Sequence, residues 1–490
     1  MIRSNLAECI LLNSERRRER VALRDDNHAI TFGELRSAVD GYAGFLQNLG
    51  VKRGEVVGLT MRDGVHHVIA MLSIIRLGAV LLPLDVRWTS EEKDNVARAF
   101  GASYVITDTP SSCVLTSASV IEFDMVTSGA GHEFTPPADF SPDEPLLMSL
   151  SSGTTGIPKG PRITHRQMFL RHYSEWMSLD FSPNDVFLCA TPLYFGGGRG
   201  FTLSYLLGGA TIVFCQPPYR PGDIEALVRR YGVTTTFLVP TLLRRIKDSA
   251  PDVLEAMRSL RFVICSGSAL HPKERDELLR TVNSRIVNFY ASTEGGGVSV
   301  LNADEGGTGA PSVGRPILGS DIRICDDRGN ALAIGEIGHI RQSAPWHPDG
   351  FFNNPEETAR YFRDGWYLPG DLGYVDDDGY LFITGRSKDI IIRGGVNIYP
   401  AEIEALLISH PDVSDAAVVP KPSEELGEQV VAFVVAGADR VSDQELADYC
   451  RASLAPYKIP SEIHFIDELP RNSGGKVIKA DLGKRLAAMP

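Results

Sequence analysis

Through about residue 300, apolar residues recur at helical spacing in segments that alternate with short β-branched runs. That alternation is the texture of an α/β protein. Thr31-Phe-Gly-Glu34 has the form of a capping box and predicts a helix running to about residue 49. Residues 55–61, 79–82, 104–106, 211–215, 235–239 and 262–266 read as strands, and 64–77, 224–231 and 241–249 as helices. A second capping box, Thr164-His-Arg-Gln167, predicts a helix directly after a Gly/Ser/Thr-rich loop. The longest apolar zone, 68–84, is broken by Ser73, Arg76, Gly78 and Pro83, so it predicts a buried helix entering a strand, not a membrane span. From about residue 310 short strands (321–325, 338–342) alternate with Gly- and Asp-rich turns, which predicts an all-β subdomain ending near Ile383. The last hundred or so residues, with a helix at 400–408 and strands at 416–419 and 430–435, have the scale of a small separate domain.

Composition changes this picture little. A chain of 490 residues exceeds one ordinary core and implies two or more domains. The net charge of −13 argues against nonspecific nucleic-acid binding and against a polybasic membrane anchor. Arg16, Arg17, Arg18 and Arg20 interleave with Glu15 and Glu19, and so read as a solvated helix face. The seven cysteines show no CxxC pair, and the first residues hold no signal-peptide core, so reduced thiols and a cytoplasmic location are expected. His66, His67 and His172 have no partners at metal-ligand spacing and read as structural or surface groups.

The chemistry concentrates first in residues 151–160, SSGTTGIPKG. Glycines let the backbone approach an anion and aim N–H groups at it. Ser151, Ser152, Thr154 and Thr155 add hydroxyl donors and Lys159 a cation, so the run suits a polyphosphate. It is not the usual P-loop, because Gly160 follows Lys159 where a Mg-binding hydroxyl would stand. By composition alone such a run is also linker-like. The apolar flank 146–150 and the following helix argue against a linker.

Four further segments join it: Cys265-Ser-Gly-Ser-Ala-Leu270, Asn288-Phe-Tyr-Ala-Ser-Thr-Glu294, Gly365-Trp-Tyr-Leu-Pro-Gly-Asp371 with Gly385-Arg386, and Pro470-Arg-Asn-Ser-Gly-Gly-Lys476. In this order and spacing the set resembles the adenylate-forming superfamily of acyl-CoA synthetases, adenylation domains and luciferases, from about residue 20 to 485. The resemblance implies an α/β fold with a large N-terminal region, 1–385, of two α/β subdomains and a β-barrel-like subdomain. A small α+β domain, 386–490, follows on a hinge near 386–389. It implies activation of a carboxylic acid by ATP and Mg²⁺, release of pyrophosphate, and transfer of the acyl group from AMP to a nucleophile, closest in look to CoA in acyl- or aryl-CoA ligases.

The resemblance also assigns roles. Lys476 would bridge the incoming carboxylate and the forming acyl phosphate, Glu294 with Thr155 would hold Mg²⁺, and the Thr293 hydroxyl would meet the α-phosphate. Ser152, Thr154, Thr155 and Lys159 would hold the phosphates. Gly267, Ser268, Ala269, Asn288, Tyr290, Ala291, Ser292 and Ile383 would frame the adenine, and Asp371 and Arg386 the ribose. Lys388 occupies the hinge position or is an ordinary loop lysine. Gly394 and Gly395 would leave room for a pantetheine tunnel.

For the acid, the stretch Thr191-Pro-Leu-Tyr-Phe-Gly-Gly-Gly-Arg-Gly200 lacks the aspartate that amino-acid-activating members carry, so an α-amino acid is disfavoured. Tyr194 and Phe195, with open volume at Gly196, Gly197, Gly295 and Gly296 and at the neighbouring Gly198 and Gly297, suit an aromatic, heteroaromatic or apolar acid. The same glycines also suit tight turns. Arg199 is either a contact to the acid or CoA, or a surface residue. Ala291, Pro369, Asn472 and Pro161-Arg162 depart from the family pattern without removing an assigned group. They leave open an amine or a carrier-protein thiol as acceptor, and, further off, a nucleotide-binding protein without catalysis.

Overall fold

The structure is a computed structural model that describes residues 5–124, 132–137, 139–150, 158–268, 270, 272–305, 312–423, 425–437, 441–471 and 476–488. Its architecture is a large N-terminal domain and a small C-terminal one. A 9-stranded sheet runs in the order Arg315–Pro316, Gly296–Leu301, Ile286–Ser292, Phe262–Cys265, Thr235–Leu238, Val186–Cys189, Thr211–Phe214, Val21–Arg24, Ala29–Thr31. Its central strands are parallel and its edge pairs antiparallel. The central strands are short unbroken apolar runs such as VFLC, TIVF and FVIC, buried along nearly their whole length, as strands covered on both faces must be. A 6-stranded sheet, parallel except for the antiparallel pair Pro145–Met148 and Arg162–Thr164, forms the second α/β layer. Both capping boxes are present, opening the helices Phe32–Asn48 and His165–Ser178. The apolar zone resolves into the buried helix Val65–Leu77 and the strand Val80–Pro83.

The third sheet is 6-stranded and antiparallel, and it includes Asp321–Cys325, Gly338–Ser343, Asp371–Val375 and Leu381–Arg386. The region is not all-β, since the helix Pro355–Tyr361 interrupts it under an Asn354 cap with proline at its start. The C-terminal domain has a 5-stranded sheet with its own core. Its helix Pro400–Ile408 docks back on the large domain, where Lys273 Nζ donates to the Ser409 carbonyl at 2.9 Å. The arginine cluster near the N-terminus departs from expectation. The helix there is only Asn13–Arg16, and Arg17 and Arg20 donate to the carbonyls of Pro183 and Asp185, stitching the N-terminal segment to the loop before Val186–Cys189.

Candidate active site

In open parallel sheets, ligands gather beyond the carboxyl ends of the strands. The expected site residues that the structure describes lie largely there. Strand Phe262–Cys265 ends in Ser266 and Gly267, whose φ of +103° suits glycine. Strand Ile286–Ser292 carries buried Asn288, then Tyr290, Ala291 and Ser292. From the third sheet, Asp371 and Arg386 face each other as cross-strand neighbours and form an ion pair at 3.2 Å. The Tyr290 hydroxyl donates to the other oxygen of the Asp371 carboxylate. Burial and Asp371 hold the Tyr290 phenol well above its ordinary range. Ile383 packs in the same small apolar cluster as Tyr290. Tyr290, expected at the adenine, is thus joined directly to Asp371 and through it to Arg386, both expected at the ribose.

The turn after Ser292 is held from several sides. Ser292 Oγ accepts from Gly295 N at 2.8 Å, and Trp346 Nε1 donates to the Gly295 carbonyl at 2.8 Å. Arg171, on the helix His165–Ser178, donates to the carbonyls of Thr293 and Glu294 at 3.4 and 2.5 Å. Burial pushes the Arg171 guanidinium down to about 10. This clamp leaves the Glu294 side chain to the site, where one carboxylate oxygen accepts from Tyr367 Oη at 3.3 Å. Among the described residues no group of three His, Cys, Asp or Glu could cage a metal. A single hard carboxylate fits Mg²⁺, which is commonly held by one or two carboxylates plus substrate phosphates.

Lys476 comes from the other end of the chain. It lies in the field of Arg386, Asp371, Lys388 and Asp389. Burial, with Arg386 adding to it and Asp371 opposing, pushes its ammonium down to about 8. Lys388 sits in the short turn Ser387–Asp389, beside this group. Gly394 and Gly395, with φ of +57° and +82°, form the two-residue turn between Ile391–Arg393 and Val396–Ile398. A turn with both central φ values positive accounts for two glycines by itself.

The stretch 191–200 differs from its expected form. Gly196–Gly208 is a helix despite its three leading glycines, with Phe195 as N-cap. Only Gly196 and Gly200 of this stretch have open space where a side chain would stand. A Cβ at Gly197 would lie 2.5 Å from Phe237, and one at Gly198 2.4 Å from the carbonyl oxygens of Thr191 and Pro192. Gly295 and Gly297 likewise back onto Gln342, Tyr367, Ile317 and Phe289, and Gly296 onto Trp346 and Arg171. Most of these glycines therefore serve close packing, and little acid-pocket volume comes from them. Arg199 is buried, and its Nη1 reaches back to the carbonyls of Leu193 and Tyr194 at 3.2 and 2.9 Å, because helical side chains tilt toward the N-terminus. It is neither a surface residue nor directed to solvent.

Sequence reasoning missed three groups. Asp63 Oδ1 accepts from Leu193 N at 2.9 Å and Oδ2 from Tyr219 Oη at 3.1 Å, and burial pushes its carboxyl up to about 6. Arg87, exposed but fixed by Asp85, donates to Tyr194 Oη at 2.6 Å. Glu357 pairs directly with Lys159. No motif marked these residues, since each acts through a partner distant in sequence. Ser152, Thr154, Thr155 and Ala269 lie outside the described residues.

The chain matches the AMP-binding enzyme family over residues 12–350 and the C-terminal domain of AMP-binding enzymes over 402–476. It is 30% identical to the 2-succinylbenzoate–CoA ligase of Bacillus cytotoxicus, over 96% of either chain. It is 29% identical to a fatty acid–[acyl-carrier-protein] ligase of Streptomyces coeruleorubidus, over 94% of this chain and 92% of the relative. The crystal structure of ATP-bound MatB from Rhodopseudomonas palustris superposes with a TM-score of 0.90 at 27% identity, covering 98% of this chain and 99% of the other. Among the described residues no helix is long and apolar enough to cross a membrane. With both matches in chain order, and relatives aligned nearly end to end, this protein belongs to the AMP-binding enzyme family.

Proposed function

We propose that the protein activates a carboxylic acid with ATP and passes the acyl group to CoA. A carboxylate oxygen of the acid attacks the α-phosphorus, the bond to the β-phosphate oxygen breaks, and pyrophosphate leaves. The thiol sulfur of CoA then attacks the acyl carbon, the acyl–oxygen bond breaks, and AMP leaves. The observation that carries this reading is the ion pair of Asp371 with Arg386, joined to Tyr290, with Lys476 from the far end of the chain in their field. Two anions must approach in the first step, so a cation beside the ribose pair lowers their repulsion and stabilises charge that develops at the phosphorus. Thr293 and Glu294, fixed through their carbonyls by Arg171, border the same space. Bound through Glu294, Mg²⁺ would neutralise phosphate charge.

The division of the chain at 385/386, with a hinge at 386–389, belongs to the same proposal. Lys388 lies in the turn Ser387–Asp389 and acts on Lys476 through its field, and rotation about this turn would withdraw Lys476 after the first step. For the acid we favour an aromatic, heteroaromatic or apolar carboxylate. The relative acting on 2-succinylbenzoate and the aromatic pair Tyr194 and Phe195 support that choice. A second reading keeps the first step and changes the acceptor to a carrier-protein thiol, favoured by the fatty acid–[acyl-carrier-protein] ligase at nearly the same identity.

The test is pyrophosphate release with ATP and Mg²⁺ over benzoic, heteroaromatic, fatty and amino acids, each with and without CoA. Release that CoA accelerates, with thioester as the product, is expected. A single-turnover burst indifferent to CoA would overturn the acceptor and leave a carrier protein or an amine. ATP binding with no release across the panel would overturn the activity.

A further inference from the structure

The cation of the phosphate loop, Lys159, has a protein carboxylate for a neighbour. The loop joins the antiparallel strands Pro145–Met148 and Arg162–Thr164, and its closing end is stitched on both sides. Ser149 N donates to the Pro161 carbonyl at 3.0 Å, and a Cβ at Gly160 would lie 2.7 Å from the Ser149 carbonyl oxygen, so the two chains cross closely. On the other side Phe352 N donates to the Gly160 carbonyl at 3.0 Å, and Phe351 bridges to Pro161. Lys159 Nζ contacts the Glu357 carboxylate, 4.1 Å from the centre of the Tyr361 ring and 5.0 Å from that of Phe351. Glu357 is itself fixed. Its N–H donates to Asn354 Oδ1 at 3.1 Å, and Arg360 Nη1 stands 3.6 Å from its other oxygen.

The Lys159 and Glu357 side chains are 20% and 25% exposed, so their pairing is more than a screened surface contact. A carboxylate and two aromatic faces surround the ammonium and stabilise its charge where it is. Moving it to a phosphate would leave Glu357 with the longer contact to Arg360 in place of its direct partner.

We propose that Lys159 is a positioning residue, which ties the end of the phosphate loop to the helix Pro355–Tyr361 through Glu357 and does not ligate the nucleotide. The inference rests on the reading of residues 151–160 as a triphosphate-binding loop. A tether and a phosphate ligand differ in what Glu357 does. If Lys159 is a tether, removing either partner weakens ATP binding equally. If Lys159 binds phosphate, removing Glu357 frees the lysine and leaves ATP binding intact or tighter.

The experiment compares Lys159→Met, Glu357→Gln and the double variant in ATP–pyrophosphate exchange, with ATP and acid each varied, and records thermal unfolding. The tether predicts that both single variants raise KM for ATP by about tenfold, leave KM for the acid within about twofold, and that the double variant is no worse than either. A merely structural role would move both KM values and the unfolding midpoint together, and that result overturns the proposal. So does a rise in KM for ATP in Lys159→Met with none in Glu357→Gln. Should a neutral variant not fold, Lys159→Arg and Glu357→Asp are read the same way. If the parent protein gives no acid-dependent exchange, the activation reading fails. ATP dissociation constants from equilibrium dialysis of the same variants then decide the tether. Equal weakening in both single variants supports it, and weakening in Lys159→Met alone overturns it.

Discussion

On the proposed mechanism Lys476 carries the first half-reaction, and its surroundings then set how that reaction responds to pH. Burial and Arg386 push its ammonium down to about 8. With that value, about nine-tenths of the free enzyme carries the charge at pH 7, and each pH unit above 8 removes about tenfold. The perturbation is therefore twofold: Lys476→Met, which removes the cation, and Lys476→Arg, which makes it permanent. Removing a group that meets developing charge costs about 10²–10³ in rate, or roughly 3–4 kcal/mol. The assay is ATP–pyrophosphate exchange without CoA, so that no thiol titrates, followed from about pH 6 to about pH 9.5. In the parent protein kcat/KM for ATP is expected to fall above about pH 8. In Lys476→Arg that falling limb is expected to disappear, whatever the absolute rate. ATP brings negative charge to the ammonium and raises its pKa in the complex, so the limb in kcat lies at higher pH than the limb in kcat/KM. Lys476→Met is expected to spare thioester formation from supplied acyl-adenylate. Equal loss of both half-reactions in Lys476→Met, or an unchanged limb in Lys476→Arg, would refute the role.

Further outcomes follow from the helix Gly196–Gly208 and from Asp63, which holds the loop before it. Burial, partly offset by the hydrogen bonds from Leu193 and Tyr219, pushes the Asp63 carboxyl up to about 6, above its unfolded value near 4. The folded chain binds this proton more tightly, so the group's contribution to stability falls as pH rises from about 4 through about 6. Asp63→Asn should thus unfold at an equal or higher temperature than the parent at neutral pH, with the advantage gone below about pH 4, whereas Asp63→Ala strands two donors and should cost about 1–3 kcal/mol. A lower midpoint for Asp63→Asn at neutral pH would contradict this. Gly196→Ala and Gly200→Ala enter open space and should keep or raise stability, by up to about 1 kcal/mol, while narrowing the range of acids accepted if that space is the acid pocket. Gly198→Ala drives a methyl into two carbonyls and should lower the unfolding midpoint and activity together.

Which features are legible in the sequence depends on the range of each interaction. Capping boxes and apolar runs are local, and the helices Phe32–Asn48 and His165–Ser178 and the buried strands were legible from them. The site motifs were legible as a set, yet the contacts that give them meaning cross long separations. Asp371 meets Arg386 across two strands of one sheet, and it meets Tyr290 only after a second sheet is placed beside that one. The helix Gly196–Gly208 was hidden because glycine is the poorest helix former after proline. Packing overrides that preference here, since Gly198 lies on two carbonyls and a Cβ at Gly208 would sit 2.0 Å from Trp176. Arg199 is buried and Arg171 half-buried, although their long side chains would read as solvated, and each turns onto backbone carbonyls of a site loop. Two shielded guanidinium groups near each other are costly, and Arg199 is pushed down to about 10 by burial and by Arg171. A fold that retains both spends stability on fixing the carbonyls of residues 193–194 and 293–294. Those are the backbone segments that carry Tyr194 on one side of the site and Glu294 on the other. On the proposed mechanism, fixing these two segments preorganises both walls of the site for the activation step.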